Sequence, residues 1–262
     1  MLPFIIGGIL IIGGSALSFF APRKIKDRNI EIKFMQTTPL KELIAILKDN
    51  AAAGLDGYRH YVELKGSADS DSSEKAPFSE KEVVYYNADL YQVYEEKHTY
   101  KDGKGTHQQI RKRETLMSNQ KSSGPVVLKD SQSGQKAYID VSQSGLKLET
   151  LKTLDRFEPE NSAKKHTFFG SLQYSNMGTR TLGFRMIEKT IPIGQFLYVL
   201  GEAWLEGQKV KISRPRGEKK PFIVSVRSET DIVQANNSSA RIALIAGILI
   251  AIAGLLMMIF MW

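Results

Sequence analysis

The sequence predicts an α+β protein, mostly antiparallel β in a barrel- or sandwich-like arrangement with one amphipathic helix, flanked by two transmembrane helices. Three observations carry that reading. Both ends of the chain are long uncharged apolar runs, a stretch of helical periodicity follows the first run, and a long tract of alternating residues fills the middle. All 36 basic and 28 acidic side chains of the 262 residues lie between the two end runs, for a formal charge of +8. The sequence contains no cysteine, which excludes disulfides, Cys-ligated zinc, iron–sulfur clusters and a thiol nucleophile within it.

The runs span Leu2–Ala21 and Ile242–Trp262. At 1.5 Å per residue each makes a helix about 30 Å long, which matches the hydrocarbon thickness of a bilayer. A helix also satisfies its own backbone polar groups there. Gly7 and Gly14 repeat at seven-residue spacing in the first run, as Gly247 and Gly254 do in the second, with Ala243 and Ala251 four residues to either side of Gly247. Such a stripe lets helix backbones approach closely, so the two are expected to pack as a hairpin with both chain ends on one side.

Between the helices the expected layout is a basic extended link over 22–37 and a β-rich domain over 38–233. Arg23, Lys24, Lys26 and Arg28 follow the first run and Arg241 precedes the second, which by the positive-inside rule places the domain on the cytoplasmic side. Thr38 reads as an N-cap and Pro39 as a first helical residue. Leu40, Leu43, Ile44 and Leu47 then form the apolar stripe of one helix, roughly Pro39 to Ala52. After Gly57 the period becomes two. Strands are expected at 58–65, 82–95, 109–117, 126–129, 136–141, 146–151, 166–174, 181–190, 196–205, 208–213 and 222–226, separated by turn clusters such as KDGKG and DSQSGQ. Glu206-Gly207 reads as a tight hairpin, and 228–231 as the start of a short link into the second apolar run.

The vocabulary of catalysis is sparse. There is no G-x-S-x-G, Walker A, G-x-G-x-x-G or H-E-x-x-H motif, and His60, His98, His107 and His166 are scattered without metal-ligand spacing. Asp69 to Glu80 mimics a calcium loop in outline but carries Glu74 where the turn needs glycine and Pro77 at the ninth position. Neither metal nor cofactor is expected. Basic residues cluster at Arg111, Lys112 and Arg113, and again at Lys209, Lys211, Arg214, Arg216, Lys219 and Lys220. The second cluster lacks interleaved aromatics for base stacking, so nucleic acid is not an expected partner. Together with Arg23, Lys24, Lys26 and Arg28 it is a candidate for contact with a membrane surface or a partner, since anionic headgroups attract each nearby cation. Tyr85, Tyr86, Tyr91 and Tyr94 alternate as strand packing.

YVELKG at 61–66, APFSEKEVVYY at 76–86, and 191–233 with its glycine-led turn, V-x-G-E-type strand and PF-x-x-S-x-x-SE run resemble the GIDE, or "beside a membrane", domain. That family includes the mitochondrial ubiquitin ligase activator of NF-κB and a chloroplast-envelope relative. The resemblance implies a membrane-flanked β domain used for interaction or sensing, on the side away from the cytosol, with a RING finger after the second helix. A RING needs cysteine ligands, so ligase activity is not carried over to these residues. The expectation is a membrane-apposed, non-catalytic interaction, scaffold or sensing module, with the bilayer and a protein partner or second copy as its contacts. The alternative is an accessory of a ubiquitin ligase that needs a separate RING chain.

Overall fold

The computed structural model describes residues 2–55, 57–103, 105–160, 179–217 and 220–260. They form, in chain order, α1 (Leu2–Phe34), α2 (Leu40–Ala52), β1 (His60–Asp69), β2 (Glu74–Lys75), β3 (Glu82–Asp102), β4 (Gly105–Lys121), β5 (Val126–Lys129), β6 (Lys136–Ile139), β7 (Leu146–Glu149), β8 (Leu151–Pro159), β9 (Thr179–Pro192), β10 (Phe196–Glu206), β11 (Lys209–Ser213), β12 (Phe222–Ser225) and α3 (Glu229–Phe260). The strand expected at 166–174 lies outside the described residues.

Both terminal helices outlast their apolar runs. The segment 22–37, expected as an extended link, is helical through Phe34. Ile25, Asn29 and Ile32 recur one per turn, and Asn29 and Ile32 are buried, so packing holds a charged segment in a helix it would not keep alone. At the other end, 228–231 is no link but the start of α3. The Ser228 hydroxyl accepts from the Asp231 N–H, and the Asp231 carboxylate accepts from the Ser228 N–H and O–H, a reciprocal capping box. Ser228→Ala is therefore expected to cost about 1 kcal/mol, read in thermal unfolding as a fall of about 2–4 °C.

α2 begins at Leu40, one residue later than expected. Thr38 does not cap it: the Thr38 N–H donates instead to the Glu63 carbonyl on β1. Leu40, Leu43 and Leu47 are buried in the core of the main sheet. That sheet closes on itself. β1 pairs with β5, β5 with β6, β6 with β11, β11 with β10, and β10 back with β1. All pairs are antiparallel except β6–β11. Closure needs β1 to change partner at Ser67, which pairs both Phe196 and Lys129. Gly66 permits this, because a Cβ there would lie 2.5 Å from the Lys129 carbonyl oxygen. Val62, Leu64, Leu128, Ile139, Val199 and Ile212 fill the interior.

β12 joins the edge of β10 ahead of β11, and β7 adds to β12 in parallel. The segment 146–151, expected as one strand, is two: β7 serves the barrel, whereas β8 pairs with β9 in the second sheet. The β10–β11 turn is Gly207-Gln208, closed by Glu206 opposite Lys209, with Gly207 at φ +61°. The second sheet is open, in the order β4-β3-β9-β8, with β2 beside β3. Its small core is Leu90, Phe184 and Met186, backed by Phe78, Met117 and Leu154. The buried Glu188 carboxylate accepts from the Phe78 and Ser79 N–H groups and so pins the 76–80 turn to this sheet.

Candidate functional site

α1 and α3 lie antiparallel, and their glycines meet in register. A Cβ on Gly14 would sit 2.5 Å from the Gly247 carbonyl oxygen, and one on Gly254 would sit 2.7 Å from that of Gly7. Backbones this close leave no room for side chains. Past the apolar runs the contact turns polar. Asn29 donates to Asn237 at 2.8 Å, and Asn236 donates to Asn29 at 2.7 Å.

Beyond that clasp both helices dock on the outside of the barrel. Ile32 of α1 and Ile232 and Val233 of α3 pack on Tyr198, Leu200 and Ile223. Beside this apolar patch lies the buried Glu63. One carboxylate oxygen accepts from the Thr37 hydroxyl at 2.6 Å and from Lys65 at 3.0 Å; the other accepts from the Tyr198 hydroxyl at 2.9 Å. Lys65 reaches on to Glu229, the first residue of α3, at 3.2 Å. Burial, with the nearby Glu63 charge, drives the Tyr198 hydroxyl far above its ordinary pKa. Burial alone would lower Lys65, but its hydrogen bonds to Glu63 and Glu229 outweigh that and raise it. The two helices and the barrel are thus fastened at one point.

Next to this junction, Lys24 and Arg28 of α1 face Arg214, Lys220, Pro221 and Phe222 across a cleft of about 420 Å³, with Asp27 and Glu31 on its helical wall. Two basic clusters nearly 190 residues apart in sequence thereby meet. Arg214 is steadied by a hydrogen bond from its guanidinium to the Ser144 carbonyl at 3.3 Å.

The other expected residues lie elsewhere. Lys209 and Lys211 lie over the Tyr138 ring, and Lys211 pairs with Glu206. The Arg216 N–H donates to Glu202, which also holds Arg59. Arg23 lies over the Phe19 ring, Lys26 is exposed on α1, and Lys219 is outside the described residues. Arg111, Lys112 and Arg113 are exposed on β4. Asp69 and Asp71, the head of the calcium-like run, both pair with Lys136, whose hydrogen bonds lower both carboxyls. Among the described residues no group of three or more His, Asp or Glu could hold a metal. Tyr85, which is buried, lines a second cleft of about 520 Å³ between the barrel and the open sheet, with Lys121, Ser122, Gln143 and Lys189.

Residues 95–258, more than half of the chain, match the GIDE family, described as E3 ubiquitin ligase. The chain belongs to the GIDE family. It matches no curated protein sequence and no solved structure. In this GIDE protein the closing signature at 191–233 supplies Tyr198, Ser228 and Glu229 to the helix junction, and YVELKG supplies Glu63 and Lys65. The residues of those motifs carry no catalytic or ligand signature that marks them as a junction. One signal was available: FLYVLG in β10 is apolar on both faces, as a strand covered on both sides must be.

Proposed function

We propose that this is a two-pass membrane protein whose β domain works as a non-catalytic interaction module held at fixed height and orientation over the bilayer. The observation that carries the reading is the junction. Two helices long and apolar enough to span a membrane run unbroken into the domain and are locked to it by Glu63 and by the Ile32–Tyr198–Ile232 patch. A flexible tether would suffice for mere anchoring; a rigid one presents a defined surface. The basic residues Arg23, Lys24, Lys26 and Arg28 support contact with headgroups. By the same flanking charge the domain faces the cytoplasm.

The full chain is expected to pellet with membranes after detergent-free lysis, to resist a carbonate wash, and to bring down a reproducible partner or second copy from gently solubilised membranes. Release into the supernatant would refute the insertion, and recovery of the single chain alone would refute the module. Protease digestion of sealed vesicles reports the side, with protection of the domain assigning it to the family's layout instead. The family description favours one second reading, an accessory to a ubiquitin ligase, because these cysteine-free residues would need a separate RING chain. Ubiquitin transfer by a co-purified RING protein, stimulated by this chain, is its test.

A further inference from the structure

We infer that the cleft between α1 and the barrel is a binding site for the phosphate-bearing headgroup of one anionic phospholipid. The inference rests on the two helices being in the bilayer. Lys24 then stands about 5 Å beyond the end of the apolar run at Ala21, within the headgroup layer of a bilayer, and Arg28 about 10 Å beyond it, just above that layer and within side-chain reach of it. Arg214 and Lys220 reach the same space from the barrel side. Among the described residues Lys24 and Arg28 form no ion pair within 4.0 Å, although Asp27 and Glu31 share the cleft. The built side of the cleft is specific. Gly145 takes φ +83°, which strains any other residue, and a Cβ there would lie 3.1 Å from the Arg214 guanidinium, so the bare glycine turn gives Arg214 room beside it. Phe222 and Pro221 give the cleft an apolar wall suited to the glycerol end of a lipid. Four cations against two carboxylates leave a modest positive excess, which fits a singly or doubly charged headgroup rather than a polyphosphate.

The test places the full chain in nanodiscs of phosphatidylcholine containing spin-labelled phosphatidylglycerol or spin-labelled phosphatidylcholine and compares the motionally restricted fractions. A cation near an anionic leaflet is worth about fivefold, so the excess of two predicts a preference for phosphatidylglycerol of roughly 25-fold at low salt, weakening as salt is added. The combined change K24Q/R28Q/R214Q/K220Q should remove it, while K209Q/K211Q, equal in kind but away from the cleft, should leave it intact. Equal preference in the cleft variant and the parent would overturn the proposal. Inorganic phosphate is titrated against the detergent-solubilised chain as well. A thermal shift with phosphate but no lipid preference would reassign the site to a soluble phosphate compound and overturn the headgroup. Failure of the chain to enter the discs would overturn the insertion beneath it; entry without preference would overturn the headgroup site alone.

Discussion

Glu63→Ala is expected to lower the unfolding temperature by about 6–12 °C and to free the helices from the barrel. The carboxylate is fully buried and accepts from three donors on three parts of the chain: Thr37 after α1, Lys65 on β1 and Tyr198 on β10. Alanine leaves the buried Tyr198 hydroxyl without an acceptor and opens a void. Each orphaned buried group costs about 1–3 kcal/mol, and a total of about 3 kcal/mol corresponds to that fall in a domain of this size. Glu63→Gln keeps an acceptor for Tyr198 and should cost less than half as much. Glu229→Gln removes only a partly exposed pair with Lys65 and should cost under about 1 kcal/mol. If Glu63→Ala unfolds no earlier than Glu229→Gln, the buried carboxylate is not what fastens the junction. Amide hydrogen exchange should locate the loosening at the start of α3 and around Thr37, leaving the barrel interior protected.

The double change Gly14→Leu and Gly247→Leu should prise the helices apart. Both Cβ positions run into opposing backbone: the Gly247 carbonyl oxygen at 2.5 Å from one, the Gly14 carbonyl oxygen at 2.6 Å from the other. Backbone cannot rotate away as a side-chain tip can, so overpacking here costs about 1–3 kcal/mol per site. The cysteine-free sequence makes the measurement clean, since nitroxides on Ile12→Cys and Leu249→Cys are the only labels and both positions face outward. The parent should give a narrow distance distribution. The double variant should lengthen it by about 2 Å or more, as the helix axes separate toward the 8–10 Å spacing of ordinary helix pairs. An unchanged distance would mean that the glycine seam does not set the approach.

Much of the secondary structure was legible because it is written in local periodicity. α2 reads from its leucine stripe, β5 from VVLK, and the β10–β11 hairpin from Glu206-Gly207, although its turn falls one residue later. The misreadings share a cause. The 23–34 segment reads as an extended link because its charges outnumber its apolar residues, yet Asn29 meets the asparagines of α3 and Ile32 meets the outside of the barrel, partners that only the folded chain provides. Residues 146–151 looked like one strand because the alternation is continuous; their division between two sheets depends on β12 and β9, which lie far along the chain.

The same division runs through the site. Sequence by itself determined two bilayer-length apolar helices carrying glycines at a common spacing, a single amphipathic helix, an alternating domain between them, and the motifs of the GIDE family. Each of these is a property of residues within a few turns or strand lengths of one another. Only the tertiary structure decided that the sheet closes between β1 and β10, that Glu63 faces the helices, and that Lys24 and Arg28 share a cleft with Arg214 and Lys220 but not with Lys209. Those are meetings of residues as much as 196 positions apart, made when a sheet closes and its apolar outer face draws the helix ends down. No local pattern encodes which distant charges such a closure brings together.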